Sequence, residues 1–180
     1  MSRPAAPEPV KLIVSVLSAD DDMAGIVRQS LEQRYGVTDS VDGPLPFTYT
    51  DYYRAELGPD LHRWLLAFRT LVDPGRLPAI KLDANALEDR FLRGDGTRRV
   101  NIDPGYIALS HMILATCKPF SHRPYLGSGV YADMTLLFQG RSFQALPWTF
   151  PDYADRPLID LLNDVRARYH AQLRGRKAAL

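Results

Sequence analysis

The stretch RRVNIDPGYIALSHMILATCK, residues 98–118, decides how the chain is read. Val100 and Ile102 alternate with Asn101 and Asp103, as in a strand with one apolar side. Asp103 then offers a helix cap, and Pro104 falls where a first helical residue needs no N–H. Between Tyr106 and Cys117, the residues Ile107, Leu109, Met112, Ile113, Leu114 and Ala115 spread around most of a helical circumference. The reading is a strand that ends at a capped helix buried on more than one side.

Upstream, KLIVSVL at 11–17 is a short apolar run of the kind a buried strand shows. Ser18 begins a helix start, with Asp20, Asp21 and Asp22 near the positive helix end. Met23, Val27, Leu31 and Tyr35 share one helical face, and Gly36 offers a stop. LPFTYTDYY at 45–53, if extended, sets Phe47, Tyr49, Asp51 and Tyr53 on one side. Leu61, Trp64, Leu65, Phe68, Leu71 and Val72 make the stripe of a second helix, closed by DPG at 73–75. PAIKLD at 78–83 reads as a short strand, Asn85 with Glu88 as a capping box, and GDG at 94–96 as a turn.

Downstream, the period changes to two from Val130. Val130, Ala132, Met134, Leu136 and Phe138 form one face, and QGR at 139–141 turns the chain into a second strand. Pro157 opens a last helix with the stripe Leu158, Leu161, Leu162, Val165 and Tyr169. The expectation is an α/β or α+β domain: a mixed β-sheet flanked by helices, with a C-terminal β-hairpin followed by an amphipathic helix. Residues 1–9 are expected to be flexible, 10–173 one globular domain, and 174–180 a basic tail.

The composition narrows the function classes. A formal charge of +1 gives no global field for nucleic acid, although 18 of the 22 basic residues are Arg, whose fork suits carboxylate or phosphate. Cys117 is the only cysteine, which leaves no intramolecular disulfide and no cysteine-rich metal site. Neither a signal peptide nor a membrane-length apolar run is present, so a cytoplasmic location is expected. There is no phosphate loop, no GxGxxG after the first strand, no HExxH and no GxSxG. No cofactor is specified, and no metal is expected.

CKPFSHRPYLGSGVYAD at 117–133 is the most suggestive stretch for chemistry. Lys118, His122 and Arg123 bring three basic side chains together before a glycine turn, and Tyr131 and Asp133 project from the strand that follows. This grouping points to a pocket for an anionic metabolite or nucleotide held by Lys118 and Arg123, with Tyr131 as a further donor. His122 and Asp133 are the candidates for proton transfer. Asn101, near the end of its strand, and Asp51, between two tyrosines, are further candidate ligand contacts. The same charges also fit a structural Arg123–Asp133 pair and a Lys118 near a helix end, so enzyme and simple binding protein both stand. The alternative is an interaction protein for RNA or a protein partner, resting on Arg166, Arg168, Arg174, Arg176 and Lys177; nucleic acid is not favoured, and no membrane partner is expected.

The motifs PVKLIVSVLSAD, FTYTDYY, LVDPGRLPAIKLDAN, RRVNIDPGYIALSHMILATCK, HRPYLGSGVYADMTLLF and LPWTFPDY, in this order, resemble those of the bacterial and archaeal family called domain of unknown function 4416. The likeness runs from about Pro9 to Tyr153. It implies that Asn101, Asp103, Pro104, Gly105 and Tyr106 form one family motif. Lys118, His122, Arg123, Tyr125, Leu126, Gly129 and Tyr131 form another. Asp133 stands where relatives commonly have Glu, keeping an acid with a shorter reach, and Phe150 stands where they have Tyr.

Overall fold

The computed structural model describes residues 3–178. Eight strands make one sheet: β1 (Val10–Ser18), β2 (Thr38–Pro46), β3 (His62–Val72), β4 (Asn101–Ile107), β5 (His111–Thr116), β6 (Tyr125–Gly127), β7 (Val130–Gln139) and β8 (Ser142–Ala145). Their order is β2-β3-β1-β4-β5-β7-β6, with β8 also on β7. Four helices accompany them: α1 (Asp21–Tyr35), α2 (Arg54–Leu57), α3 (Leu77–Asp89) and α4 (Arg156–Ala178). The domain is therefore a mixture of helix and strand, as expected. Within the sheet, however, every pairing among the described residues is antiparallel, so the mixture does not extend to strand direction.

The apolar residues of β1 divide between two faces because successive side chains alternate. Leu12, Val14 and Val16 pack with Met23, Val27 and Leu31 of α1 and with Ile80, Ala84 and Leu87 of α3. Ile13 packs on the other face, with Leu158, Leu162, Val165 and Tyr169 of α4. Asp20 caps α1, accepting from the N–H groups of Asp22 and Met23 at 3.1 and 3.3 Å, two residues beyond the expected start at Ser18. Strands β1 and β7 belong to one sheet, and the β7–β8 hairpin and α4 follow in the expected order.

Three expectations are corrected. Residues 62–72 form strand β3 instead of a helix. Trp64, Leu66 and Phe68 face α1 and α3, while Leu65 and Ala67 face α4. A central strand buried on both faces reads as a continuous apolar run, and helical spacing can be picked out of such a run by accident. Residues 77–89 are helix α3, so PAIKLD is not a strand, and Asn85 and Glu88 lie inside the helix instead of capping one. Pro78 is tolerated in the first turn, where a backbone N–H would have no intrahelical partner.

The third correction concerns the opening stretch. Asn101–Ile107 is strand β4, so Asp103 is not a cap, and His111–Thr116 is strand β5 instead of the centre of a helix. Apolar residues on all sides suit a doubly covered strand as well as a buried helix, and their period does not separate the two. Gly105 shows why the hairpin is built this way: a Cβ there would lie 2.3 Å from the carbonyl oxygen of Ile113. Only glycine allows β4 and β5 to approach so closely.

The N-terminal residues 3–9 have no regular structure, and the described part of the basic tail continues α4 to Ala178. Residues 1–2 and 179–180, parts of the expected flexible and basic termini, lie outside the described residues. No helix among the described residues is long and apolar enough to cross a membrane.

Candidate functional site

Strand β4 pairs with β1 from Asn101 to Ile107, but with β5 only from Gly105 to Ile107. Beyond Leu114, β5 keeps its pairing with β7 through Thr116. The sheet therefore forks between Asn101–Pro104 of β4 and Ala115–Thr116 of β5. Pro104 lies in this unpaired stretch, where a residue without an N–H is compatible with the ladder. A cavity of about 470 Å³ opens at the fork.

Its inner wall combines α3, β4 and the segment before β4. Lys81, on the buried side of α3, donates to Asp103 Oδ1 and to the Ile102 carbonyl, both at 3.0 Å. Asn101 Nδ2 donates to Asp103 Oδ2 at 2.6 Å, and its Oδ1 accepts from Arg98 Nη1 at 2.8 Å. Arg98 also meets Glu88 Oε2 at 3.1 Å and grips both oxygens of Glu56 at 2.6 and 2.7 Å. The other oxygen of Glu88 accepts the Ile102 N–H. Glu56, Glu88 and Asp103 each use both carboxylate oxygens.

The electrostatics follow from burial and pairing. Burial alone would lower the Lys81 pKa, but the charges of Asp103 and Glu88 outweigh it and hold the ammonium above the usual lysine value. Burial likewise works to raise Asp103, and Lys81 and Asn101 bring it below the ordinary carboxylate value. For Glu88 burial wins, and its pKa is raised.

The outer wall comes from the end of β5, the 117–124 loop and β7. Asp133, only 2% exposed, accepts from Arg123 Nε at 2.8 Å through Oδ2. Arg123 Nη1 donates to the Lys118 carbonyl at 3.1 Å. His122 Nε2 lies 3.5 Å from the same Asp133 oxygen and, although buried, has no hydrogen-bond partner. Its ring stacks on Trp148 with centroids 4.7 Å apart and 14° between planes. Trp148 is fixed in turn, its indole N–H donating to the Met134 carbonyl at 2.8 Å.

Aromatic residues frame the opening. Tyr52 and Tyr53 reach it from the 47–53 loop, and Phe150 from the segment after β8. Arg63 of β3 pairs with Asp152 at 2.5 Å, tethering the Phe150 segment to the sheet. Lys118 Nζ donates to the Tyr52 hydroxyl at 2.9 Å and sits 4.8 Å from the centre of its ring. That hydrogen bond lowers the Tyr52 pKa, whereas burial raises that of Tyr53. Lys118 has no carboxylate partner within ion-pair distance among the described residues.

Of the residues singled out from sequence, Asn101, Lys118, Arg123 and Asp133 line this one cavity. His122 stands behind it, against Asp133. Tyr131 is outside, opposite Thr116 in the ladder and against the Tyr125 ring. Asp51 is also outside; its side chain is 90% exposed and pairs with Arg54 across a separate depression. Sequence reading missed Lys81, Glu88 and Arg98. The signal for the first two was present: in a helix over 77–89 they fall beside Leu77, Ile80, Ala84 and Leu87, and a charge on a buried helical face needs a partner.

Cys117 lines the cavity with only an Asn85 amide contact to Sγ at 3.6 Å. No group of three or more His, Cys, Asp or Glu among the described residues is placed to hold a metal. Several of the C-terminal cations are committed: Arg166 donates to the Leu109 carbonyl, Arg168 to Ser40, and Lys177 pairs with Glu8.

Fold and site together define an α+β protein with one antiparallel sheet and a charged cavity where that sheet forks. The chain belongs to the family described as Domain of unknown function (DUF4416), which it matches over residues 8–169. No curated protein and no solved structure matches it.

Proposed function

We propose that the fork cavity binds a small anionic metabolite or nucleotide, with Lys118 and Arg123 meeting its negative charge and Asn101 on the opposite wall. The observation that carries this reading is convergence. Segments carrying five of the six family-like motifs contribute to one cavity: Tyr52 and Tyr53, Lys81 and Asn85, the 98–118 segment, Arg123 and Asp133, and Phe150. Its volume is within the usual range of small-molecule sites.

Charge bookkeeping selects the contact. Lysines and arginines at 81, 98, 118 and 123 face the carboxylates of Glu88, Asp89, Asp103 and Asp133, so the lining as a whole is close to neutral. Lys81, Arg98 and Arg123 are held by carboxylates. Lys118, bonded only through the neutral Tyr52 hydroxyl, retains the capacity to receive an anion. If turnover accompanies binding, Asp133 is the nearer proton-transfer group, because it lines the cavity and His122 reaches the site through it.

The test is calorimetric titration of the intact protein with a panel of anionic metabolites and nucleotides. A charge-assisted contact contributes about 1.5–3 kcal/mol, so Lys118→Ala should weaken any hit on the order of tenfold or more. Arg176→Ala, on α4, should leave it unchanged. Equal binding by wild type and Lys118→Ala would refute the assignment, and selective loss in Arg176→Ala would favour the α4 surface.

A further inference from the structure

We infer that protonation of His122 draws its imidazole onto Asp133 and adds positive charge behind the outer wall, so that anion binding in the fork cavity strengthens as pH falls. This rests on the anion-binding reading above and adds regulation to the same site.

The geometry is that of a contact set up but not completed. His122 Nε2 is buried without a hydrogen-bond partner, 3.5 Å from Asp133 Oδ2. That distance is beyond a good N–H···O bond, which lies near 2.9 Å. A buried nitrogen left in this way costs free energy unless a small movement completes the bond. Imidazolium can complete it: both its nitrogens are donors, and a charged donor to a carboxylate makes a shorter, stronger bond.

The groups facing His122 come from three parts of the chain. β7 supplies Asp133. The 117–124 loop supplies Arg123, bonded to the same carboxylate oxygen at 2.8 Å, and the Phe120 ring, 5.2 Å away between centroids. The segment after β8 supplies the Trp148 ring. Arg123 and Asp133 form a neutral pair, so with a neutral His122 this cluster of three carries no net charge. Imidazolium makes it positive beside Lys118. Trp148 favours the cation, since its face attracts positive charge and its indole is anchored to Met134.

Two measurements test the switch. The first follows tryptophan emission of the intact protein from about pH 8 to about pH 5.5, the range in which imidazole changes charge. Quenching of the stacked indole should appear as pH falls, vanish in His122→Asn and persist in His62→Asn, which removes the histidine near Trp64. Emission that is flat, or equally pH-dependent in His122→Asn, overturns the inference. Circular dichroism of His122→Asn and His122→Gln establishes that the comparison is between folded proteins.

The second measurement titrates sulfate, whose charge is constant over this range. Binding should strengthen roughly three- to tenfold towards low pH in the wild type and stay level in His122→Asn. Sulfate binding that is equally strong at both ends of the range overturns the linkage. Absence of sulfate binding at every pH, with the emission change intact, overturns the anion reading and upholds the His122–Asp133 contact.

Discussion

On the α3 side of the cavity, both oxygens of Asp103 and both of Glu88 accept hydrogen bonds, and Lys81 and Arg98 are each shared between two or more partners. On the β7 side, Asp133 takes one close bond from Arg123, His122 points an unpartnered nitrogen at it, and Lys118 meets only a tyrosine hydroxyl. The difference separates a wall whose bonding capacity is used from one where some is left over. A part-buried charge network whose carboxylates are bonded through both oxygens is costly to disturb, so the α3 wall behaves as a scaffold beside the fork. The β7 wall has hydrogen-bonding capacity left over, which is what a ligand or a proton can use.

The comparison breaks most sharply if the α3 wall tolerates loss of its central cation. Lys81→Met removes the ammonium that Asp103 and the Ile102 carbonyl share, leaving a half-buried carboxylate and a buried carbonyl without it, and should destabilise the protein by about 2–4 kcal/mol in urea unfolding. A loss like that of a surface substitution would mean that the network is dispensable. Gly105→Ala acts where the fork closes: the new Cβ meets the Ile113 carbonyl, and the backbone must shift. A destabilisation of about 1–3 kcal/mol is expected, measured in the same way.

The pH dependence of the urea midpoint sharpens the contrast further. Asp103 has a lowered pKa, so its contribution is present above the unfolded carboxylate value of roughly 3.9 and is lost as pH falls through the lower folded value. Lys81 has a raised pKa, so its contribution is present below roughly 10.4 and is lost as pH rises through the folded value. Glu88, raised, works against Asp103 in the acid range, because the folded state holds its proton more tightly. Asp103→Asn should therefore flatten the part of the acid limb that destabilises the wild type, while Lys118→Ala leaves the acid limb in place. The smallest effect belongs to the β7 wall: Lys118→Ala should change stability by no more than about 0.5 kcal/mol, although it should weaken the proposed anion binding.

Legibility in the sequence followed the same physical division. Strand β1, helix α1, the β7–β8 hairpin and α4 each have a recognisable run, period or cap, so their side chains announce their element. Strand β3 and the β4–β5 pair are covered on both faces, and their apolar residues carry no period to choose strand over helix. Asp103-Pro104 added a false helix start, because a proline beside the open fork carries the same local signature as one at a helix N-terminus. Asn101, Lys118, Arg123 and Asp133 were legible as a group, since their chemistry shows without knowing the fold. Lys81 and Glu88 were hidden because α3 was split into a strand and a shorter helix, which removed the buried face that makes their charges conspicuous.

The claim that the fork cavity is the ligand site can be tested through the chain's only cysteine, since Cys117 lines that cavity and is exposed. The measurement is the rate at which a thiol reagent labels Cys117 in the intact protein, with and without a saturating anionic ligand found by calorimetry. If the ligand sits in the fork, labelling should slow on the order of tenfold at ten times the dissociation constant, in proportion to the unoccupied fraction. An unchanged labelling rate at a ligand concentration that saturates binding would contradict the account.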